Sequence, residues 1–132
     1  MAPTSTPVGA RPEDVVDRLT TLISKAREEL VFVTCIDSDG YAGDSEVFAS
    51  PDEPKSSLPV ELLFVLPSLD GVNTVMVTSR AAGPLDSFAD SDLAFTRELI
   101  EAADERGIEL LDHVVVHDGA SRGMREATVL WD

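Results

Sequence analysis

The segment Asp92–Val116, DLAFTRELIEAADERGIELLDHVVV, carries the strongest fold signal in the sequence. Apolar side chains recur at helical spacing in its first half, and Gly107 ends that pattern as a helix-terminating glycine. Ile108–Val116 follows as an apolar, β-branched run, which is typical of a buried strand. This order indicates an α/β chain in which helices cover a sheet. The helical residues predicted to face the core are Leu93, Phe95, Leu99, Ile100 and Ala103.

The remaining elements follow from the same patterns of apolar spacing and turn residues. Residues 1–10 are rich in Pro, Thr, Ser and Gly and are predicted to form a flexible tail, so that residues 11–132 make one domain. We predict a helix over residues 12–28, followed by a hairpin of strands over 30–36 and 41–48 and a loop over 49–57. A short buried helix over 60–66 and a central strand over 72–78 come next. A loop over 79–91 ends at a helix cap on Asp90 or Ser91, and a last strand is predicted over 126–131. Because a hairpin precedes strands that helices separate, we expect a mixed sheet.

The chain is strongly acidic, with 25 Asp and Glu against 10 Lys and Arg and a formal net charge of −15. This charge repels nucleic-acid phosphates and no basic cluster stands in the sequence, so nucleic acid is not an expected partner. No apolar run reaches the roughly 20 residues of a membrane span, and the N-terminus lacks the pattern of a signal peptide. We therefore expect a cytoplasmic protein without membrane contact, and the single Cys35 agrees with that. The excess of Arg over Lys favours a GC-rich bacterial or phage genome.

The segment quoted above and the residues before it resemble the RadC-like JAB domains of the JAB/MPN (JAMM) superfamily. The most specific part is the stretch from Gly107-Ile108 to Leu111-Asp-His113. Arg11-Pro-Glu-Asp-Val15 is similar to the start of the family's first helix, and the predicted hairpin is similar to its first hairpin. The resemblance covers residues 11–120. The helix-hairpin-helix region that precedes the domain in full-length members is expected to be absent.

This resemblance implies a mixed β-sheet flanked by helices, as in cytidine deaminases, and an active form that is a zinc peptidase. Active members use an upstream Glu and the pattern His-x-His-x7-Ser-x2-Asp, which holds zinc and a reactive water. Carried onto this chain, Glu46 matches the acid–base Glu and Asp92 matches the carboxylate ligand. The histidine positions carry Thr78 and Arg80, and the serine position carries Ala89. The resemblance therefore implies a degenerate site without its zinc ligands, and we expect no cofactor.

Arg80 argues against zinc more strongly than the missing histidines do, because a guanidinium keeps its positive charge beside a divalent ion. One hypothesis is that Arg80 replaces the metal and pairs with Asp92 and Glu46. The alternative is that Arg80 is an ordinary arginine at the edge of a loop.

Other chemical residues in the sequence give weaker signals. His113 and His117 stand four apart on a predicted strand, about 13 Å from each other, so they cannot share one metal ion. Cys35 lies in an apolar strand and is expected to be an inert buried thiol. Asp37-Ser-Asp-Gly40 is typical of a hairpin turn, since the later bidentate Glu of a calcium loop is missing.

The sequence thus leaves three functions open. The first is a catalytically inactive JAB domain that binds a protein partner or itself, through an apolar patch on residues 60–66 or around Leu85 and Phe88. The second is a metal-dependent peptidase or isopeptidase with a rearranged site that uses Glu46, Asp92 and Asp86. The third is an accessory role in DNA repair, which the resemblance alone suggests.

Overall fold

The computed structural model describes residues 3–4, 9–27, 29–50 and 59–132. The described chain forms, in order, β1 (Pro3–Thr4), α1 (Pro12–Lys25), β2 (Glu29–Ile36), β3 (Ala42–Ser50), a 3-10 helix (Val60–Phe64), α2 (Val65–Leu69), β4 (Thr74–Arg80), α3 (Asp90–Glu105), β5 (Glu109–His117), β6 (Ala120–Gly123) and α4 (Met124–Ala127). These strands make one sheet in the order β1-β3-β2-β4-β5-β6. β4 and β5 run parallel and the other neighbours run antiparallel, so the predicted mixed sheet is confirmed.

Helices cover both faces of the sheet, which we name after the helix that packs there. On the α3 face, Phe95 and Leu99 of α3 and Phe64 of the 3-10 helix pack against Val75 and Val77 of β4. On the α1 face, the apolar side of α1 packs against the other side of the strands; the buried residues there include Val15, Leu19, Ile23, Phe32 and Met76. Strand residues alternate between the two faces, so the parity of a residue in β4 decides which core it joins.

α1 forms where the sequence places helix-starting residues ahead of an apolar stripe. Pro12 occupies the first turn, and Glu13 and Asp14 lie at the positive end of the helix dipole. The helix ends at Lys25, three residues earlier than predicted, because Ala26 takes an extended conformation. Within the described residues, no helix is long and apolar enough to cross a membrane.

The hairpin between β2 and β3 is turned by Asp37. One oxygen of its carboxylate accepts hydrogen bonds from the backbone N–H groups of Asp39 and Tyr41, each at 2.9 Å. Gly40 takes a φ of 86°, a backbone conformation that glycine adopts without steric cost. The acidic residues here therefore build a turn, as the sequence predicts.

Four details differ from the sequence prediction in the middle of the chain. β4 covers Thr74–Arg80 rather than residues 72–78, so Ser79 and Arg80 belong to the strand and not to the loop. Residues 49–50 continue β3 instead of entering the loop, whose residues 51–57 lie outside the described residues. Residues 60–69 are helical, but only Leu63, Phe64 and Pro67 are buried there. The cap of α3 is Ala89, with no side-chain hydrogen bond, where Asp90 or Ser91 was expected.

The predicted last strand over residues 126–131 is wrong. The last strand is β6, which pairs with β5 across a turn at Asp118 and Gly119. The Asp112 carboxylate then accepts hydrogen bonds from the backbone N–H groups of Met124 and Arg125, both at 3.0 Å, and so starts α4. Trp131 packs beside β5, with its indole N–H donating to the Leu110 carbonyl at 2.8 Å. The apolar residues near the C-terminus therefore contribute packing rather than a strand.

Candidate functional site

Three buried polar side chains meet where the carboxyl ends of β4 and β5 approach the first turns of α3. Ser79 Oγ lies 2.7 Å from His113 Nε2, and Thr96 Oγ1 lies 2.7 Å from His113 Nδ1. Ser79 shares the parity of Val75 and Val77, so it projects from the α3 face of the sheet. All three side chains have no exposed surface. We name this group the Ser79–His113–Thr96 network.

The Thr96 hydroxyl connects this network to α3 and α4. Its oxygen lies 2.8 Å from the Asp92 carbonyl oxygen, one helical turn earlier, and 3.1 Å from the Met124 sulfur. The tautomer of His113 decides which partner donates in each hydrogen bond of the ring. A serine hydrogen-bonded to an imidazole is the arrangement of a nucleophile and its base. Complete burial keeps substrate away, so here the arrangement ties β4, β5 and α3 together.

Asp92 lies in the first turn of α3 and is 1% exposed. Its Oδ2 accepts a hydrogen bond from the backbone N–H of Ala82 at 2.7 Å, which joins α3 to the loop after β4. The positive end of the helix dipole favours a carboxylate at this position. Ala89, the counterpart of the family's serine, is the cap of α3 and brings no hydroxyl to the site.

Arg80 and Thr78 project from the opposite, α1 face of β4, because their parity is that of Met76. The Arg80 guanidinium donates hydrogen bonds to the carbonyl oxygens of Ile23, at 2.6 Å, and Ala26. These carbonyls lie at the C-terminus of α1, where unpaired acceptors and the negative end of the helix dipole favour a cation. The arginine thus has a structural partner that the sequence does not reveal, and its pairing with Asp92 and Glu46 stays a prediction.

Glu46 lies on the α3 face, since it pairs across the hairpin with Val33 of the α3-face core. It borders a cleft of about 480 Å³ between β2, β3 and α2, which we name the β3 cleft; its lining residues are Val33, Cys35, Asp44, Ser45, Glu46, Leu66, Pro67, Asp70 and Val72. Cys35 is half-buried at the side of this cleft rather than enclosed in the core as predicted. Its pKa is raised by partial burial, and next by the negative charges of Asp70, Glu46 and Asp44.

The residues at the positions of the zinc ligands do not fit a zinc ion. Arg80 offers no lone pair and adds a positive charge, and Thr78 lies with it on the α1 face, whereas Asp92 lies at the start of α3. Within the described residues, no three His, Cys, Asp or Glu side chains are placed so that they could hold a metal ion. Asp86 and Asp90 are exposed in this region, while Asp92 is buried. We therefore derive no reaction step through a metal.

The two candidate apolar patches differ sharply in exposure. Leu85 and Phe88 pack against the buried cluster of Ala81, Val115 and Met124, and the Arg122 guanidinium lies 4.8 Å from the centre of the Phe88 ring. By contrast, the 3-10 helix and α2 expose a row of leucines, which we name the leucine ridge. Its members are Leu62, Leu66 and Leu69, which are 56%, 48% and 76% exposed.

Sequence reasoning found Glu46, Arg80 and Asp92 but missed Ser79 and Thr96. Ser79 stands between Thr78 and Arg80, the two positions that align with the family's histidines. Because alternate residues of a strand face opposite sides of the sheet, the sequence indicates only that Ser79 faces the other side from these two residues. Thr96 stands four residues after Asp92, on the same side of a helix. Neither signal reveals that both side chains meet the same histidine, because that contact joins residues 34 and 17 positions apart.

Comparison with known proteins gives the relationship of this chain. The family model described as RadC-like JAB domain matches residues 10–129. Two curated proteins, a UPF0758 protein of Trichormus variabilis and a UPF0758 protein of Nostoc sp., are each 32% identical to it over 59 residues. This stretch is 45% of the present chain and 24% of each relative, so the match spans about a quarter of the length of those relatives. Since the family model covers nearly all of the domain that contains the mixed sheet, the chain belongs to the RadC-like JAB domain family.

Proposed function

We propose that this chain is a JAB domain that has lost metal-dependent hydrolysis and acts in the cytoplasm as a protein-binding or assembly module. The observation that carries the proposal is the position of Arg80. In place of a zinc-ligating imidazole, the chain has a guanidinium whose hydrogen bonds hold the C-terminus of α1. A side chain used in this way stabilises the fold and offers nothing to a metal ion.

The chemistry of a JAMM peptidase needs every part of its site. Zinc lowers the pKa of a bound water, a carboxylate moves the proton, and a serine stabilises the oxyanion. Here Thr78 and Arg80 replace the imidazoles and Ala89 replaces the serine. Glu46 and Asp92 keep their carboxylates, yet Asp92 is buried and already accepts a hydrogen bond from the Ala82 N–H. Two carboxylates without a metal cannot activate water in this way.

The surface supports a binding role. The leucine ridge exposes three large apolar side chains in a row, while most other large apolar residues of the described chain are buried. Contiguous apolar surface of this kind is where soluble proteins meet their partners. The net charge of −15 disfavours DNA as that partner, because a basic patch is needed to hold phosphates.

Thermal unfolding with zinc, and with a chelator, tests the loss of the metal site. A metal that binds only the folded state raises the melting temperature in proportion to the logarithm of its concentration. We expect the same melting temperature with zinc, with magnesium and with chelator. A melting temperature that rises with zinc alone and falls on chelation would support a rearranged hydrolase site. In that case, Asp92→Asn would abolish the zinc effect, whereas Asp118→Asn, at an exposed acid in the turn between β5 and β6, would leave it intact.

A further inference from the structure

We propose that the leucine ridge and the acidic clefts that border it form a docking surface for a basic, amphipathic segment of a partner protein. Apolar side chains of that segment would cover the ridge, and its lysine or arginine side chains would enter the clefts. This inference rests on the proposed binding role, because it names the partner chemistry that such a role would use.

The leucine ridge is held rigidly by the residues between its members. Leu63 and Phe64 are buried in the α3-face core, and Pro67 is the buried residue of α2. Leu62 lies on the 3-10 helix and Leu66 and Leu69 lie on α2, so all three exposed leucines fall within eight consecutive residues. Because the segment is anchored from below, the exposed leucines do not need a rearrangement of the domain to meet a partner.

An acidic cleft borders the ridge on the side of α3. We name it the α3 cleft; its volume is about 320 Å³ and its lining residues are Pro59, Val60, Glu61, Glu98, Glu101, Ala102 and Glu105. The three glutamates of α3 stand at i, i+3 and i+7, on one side of the helix, and Glu61 faces them from the 3-10 helix. No lysine or arginine is among the described residues that line this cleft. Its chemistry therefore favours a cationic side chain.

The β3 cleft also borders the ridge, because Leu66 belongs to both. Val33, Val72 and Pro67 supply apolar walls, and Asp44, Glu46 and Asp70 supply negative charge. Partial burial, and next the negative charges of all three acids, raise the pKa of the Cys35 thiol beside them. Apolar walls with carboxylates suit a lysine or arginine side chain, which has an alkyl stem and a charged end.

Charge selects the occupant among the possible partners. A second copy of this chain would bring its own charge of −15 and its own acidic clefts to the interface, so like charges would face each other. A nucleic acid would be repelled for the same reason. A basic segment instead gains electrostatic attraction in both clefts and buries apolar surface on the ridge. We therefore assign the surface to a basic amphipathic partner rather than to self-association.

Peptide binding to the full chain tests this assignment. The probe is a synthetic peptide with leucines at i, i+4 and i+7 flanked by lysines and arginines. Its two controls are a scrambled peptide of the same composition and a peptide with glutamate at every basic position. We expect the probe to bind, the scrambled peptide to bind about tenfold more weakly, and the acidic peptide not to bind. Bound probe should also protect Cys35, which lines the β3 cleft, from alkylation.

Matched variants separate the docking surface from general attraction to an acidic protein. Leu66→Asp and the triple change Glu98→Gln, Glu101→Gln, Glu105→Gln should each weaken the probe about tenfold. Leu22→Asp on α1 and the triple change Glu13→Gln, Asp17→Asn, Glu126→Gln alter charge equally at exposed sites elsewhere and should have little effect. Circular dichroism checks that each variant is folded.

Several results would overturn the inference. If the control triple variant weakened probe binding equally, or if the scrambled peptide bound as tightly as the probe, binding would depend only on net charge. A dimer that Leu66→Asp dissociates would assign the ridge to self-association. Absence of probe binding would overturn the docking surface while leaving a binding module elsewhere on the domain. Zinc-dependent stability would instead remove the proposed function itself, so the two failures are distinguishable.

Discussion

The ends of β4 and β5 and the leucine ridge are opposite in character. At the strand ends, polar side chains are buried or partly buried and are bonded to one another or to backbone carbonyls. On the ridge, apolar side chains are exposed and acids line the clefts beside them. The first region has the groups of a catalytic site and the packing of a core. The second has the exposure of an interface.

This contrast teaches that chemical residue types do not by themselves mark the working surface of a domain. A serine beside a histidine, a buried aspartate and an arginine all lie near these strand ends, and each makes hydrogen bonds that join elements of the fold. The comparison is sharpened by changing both regions in the same way. Changes at the strand ends should cost stability, and changes on the ridge should cost binding alone.

Among changes at the strand ends, the largest effect on stability is expected from His113→Ala. The change leaves a cavity beside Phe95 and removes the hydrogen-bond partner of both Ser79 and Thr96. We expect the free energy of unfolding to fall by about 3 kcal/mol, measured by urea denaturation. His117→Ala, at the partly exposed end of β5, is the control and should change it by less than about 0.5 kcal/mol. Equal losses in the two variants would refute the structural role of the network.

A smaller loss is expected from Arg80→Met, which keeps the length of the side chain and removes its hydrogen bonds to α1. Because these bonds join a charged donor to partly buried carbonyls, the free energy of unfolding should fall by about 2 kcal/mol. Amide hydrogen exchange should quicken in the last turn of α1. Arg97→Met, at an exposed position of α3, serves as the control and should alter neither quantity. If Arg80→Met leaves α1 exchange unchanged, the guanidinium does not hold that helix.

The reactivity of Cys35 reports the charge of the β3 cleft. Its raised pKa means that less thiolate is present at a given pH than for an exposed cysteine. Asp70→Asn removes the largest of the three charge effects, lowers that pKa and should raise the rate of alkylation by iodoacetamide just below the pKa. Glu46→Gln should have a smaller effect and Asp44→Asn the smallest. The rate should not respond to Asp118→Asn, and a response of equal size there would contradict a local origin.

The smallest effect on stability is expected from Leu69→Asp on the ridge. Leu69 is 76% exposed, so the change should alter the free energy of unfolding by less than about 0.5 kcal/mol. Leu63→Asp, at a buried position of the preceding 3-10 helix, should unfold the domain and is the matched contrast. A large loss of stability from Leu69→Asp would mean that the ridge is part of the fold rather than a free surface.

Much of the fold could be predicted because local signals agree with the tertiary packing. The apolar spacing predicts α1 and α3, and the hairpin of β2 and β3 predicts the mixed sheet. Gly107 is predicted to end α3, and in the structure it has a φ of 67°. The strand prediction for residues 126–131 was wrong because Asp112, which precedes this segment by more than ten residues, caps the helix α4 that begins at Met124. The prediction that residues 60–66 form a buried helix was wrong in part, because a short apolar run does not show how many of its sides are covered.

The candidate site was less predictable because strand parity decides it. The pattern of residue types identifies Thr78, Arg80 and Asp92, but the sequence does not state which face of β4 meets α3. The structure places Ser79 on that face and Arg80 on the other, next to α1. Contacts of this kind join residues more than fifty positions apart, as between Arg80 and Ile23, and no local pattern encodes them.

The most direct test of the central claim is the metal content of the natural chain. The protein is purified without chelator, and its metals are measured by elemental mass spectrometry against protein concentration. The account predicts that zinc and other transition metals are far below stoichiometric, because the Arg80 guanidinium is bonded to α1 and offers no lone pair to a metal. One tightly held metal ion per chain would contradict it and would direct the search to a hydrolase substrate.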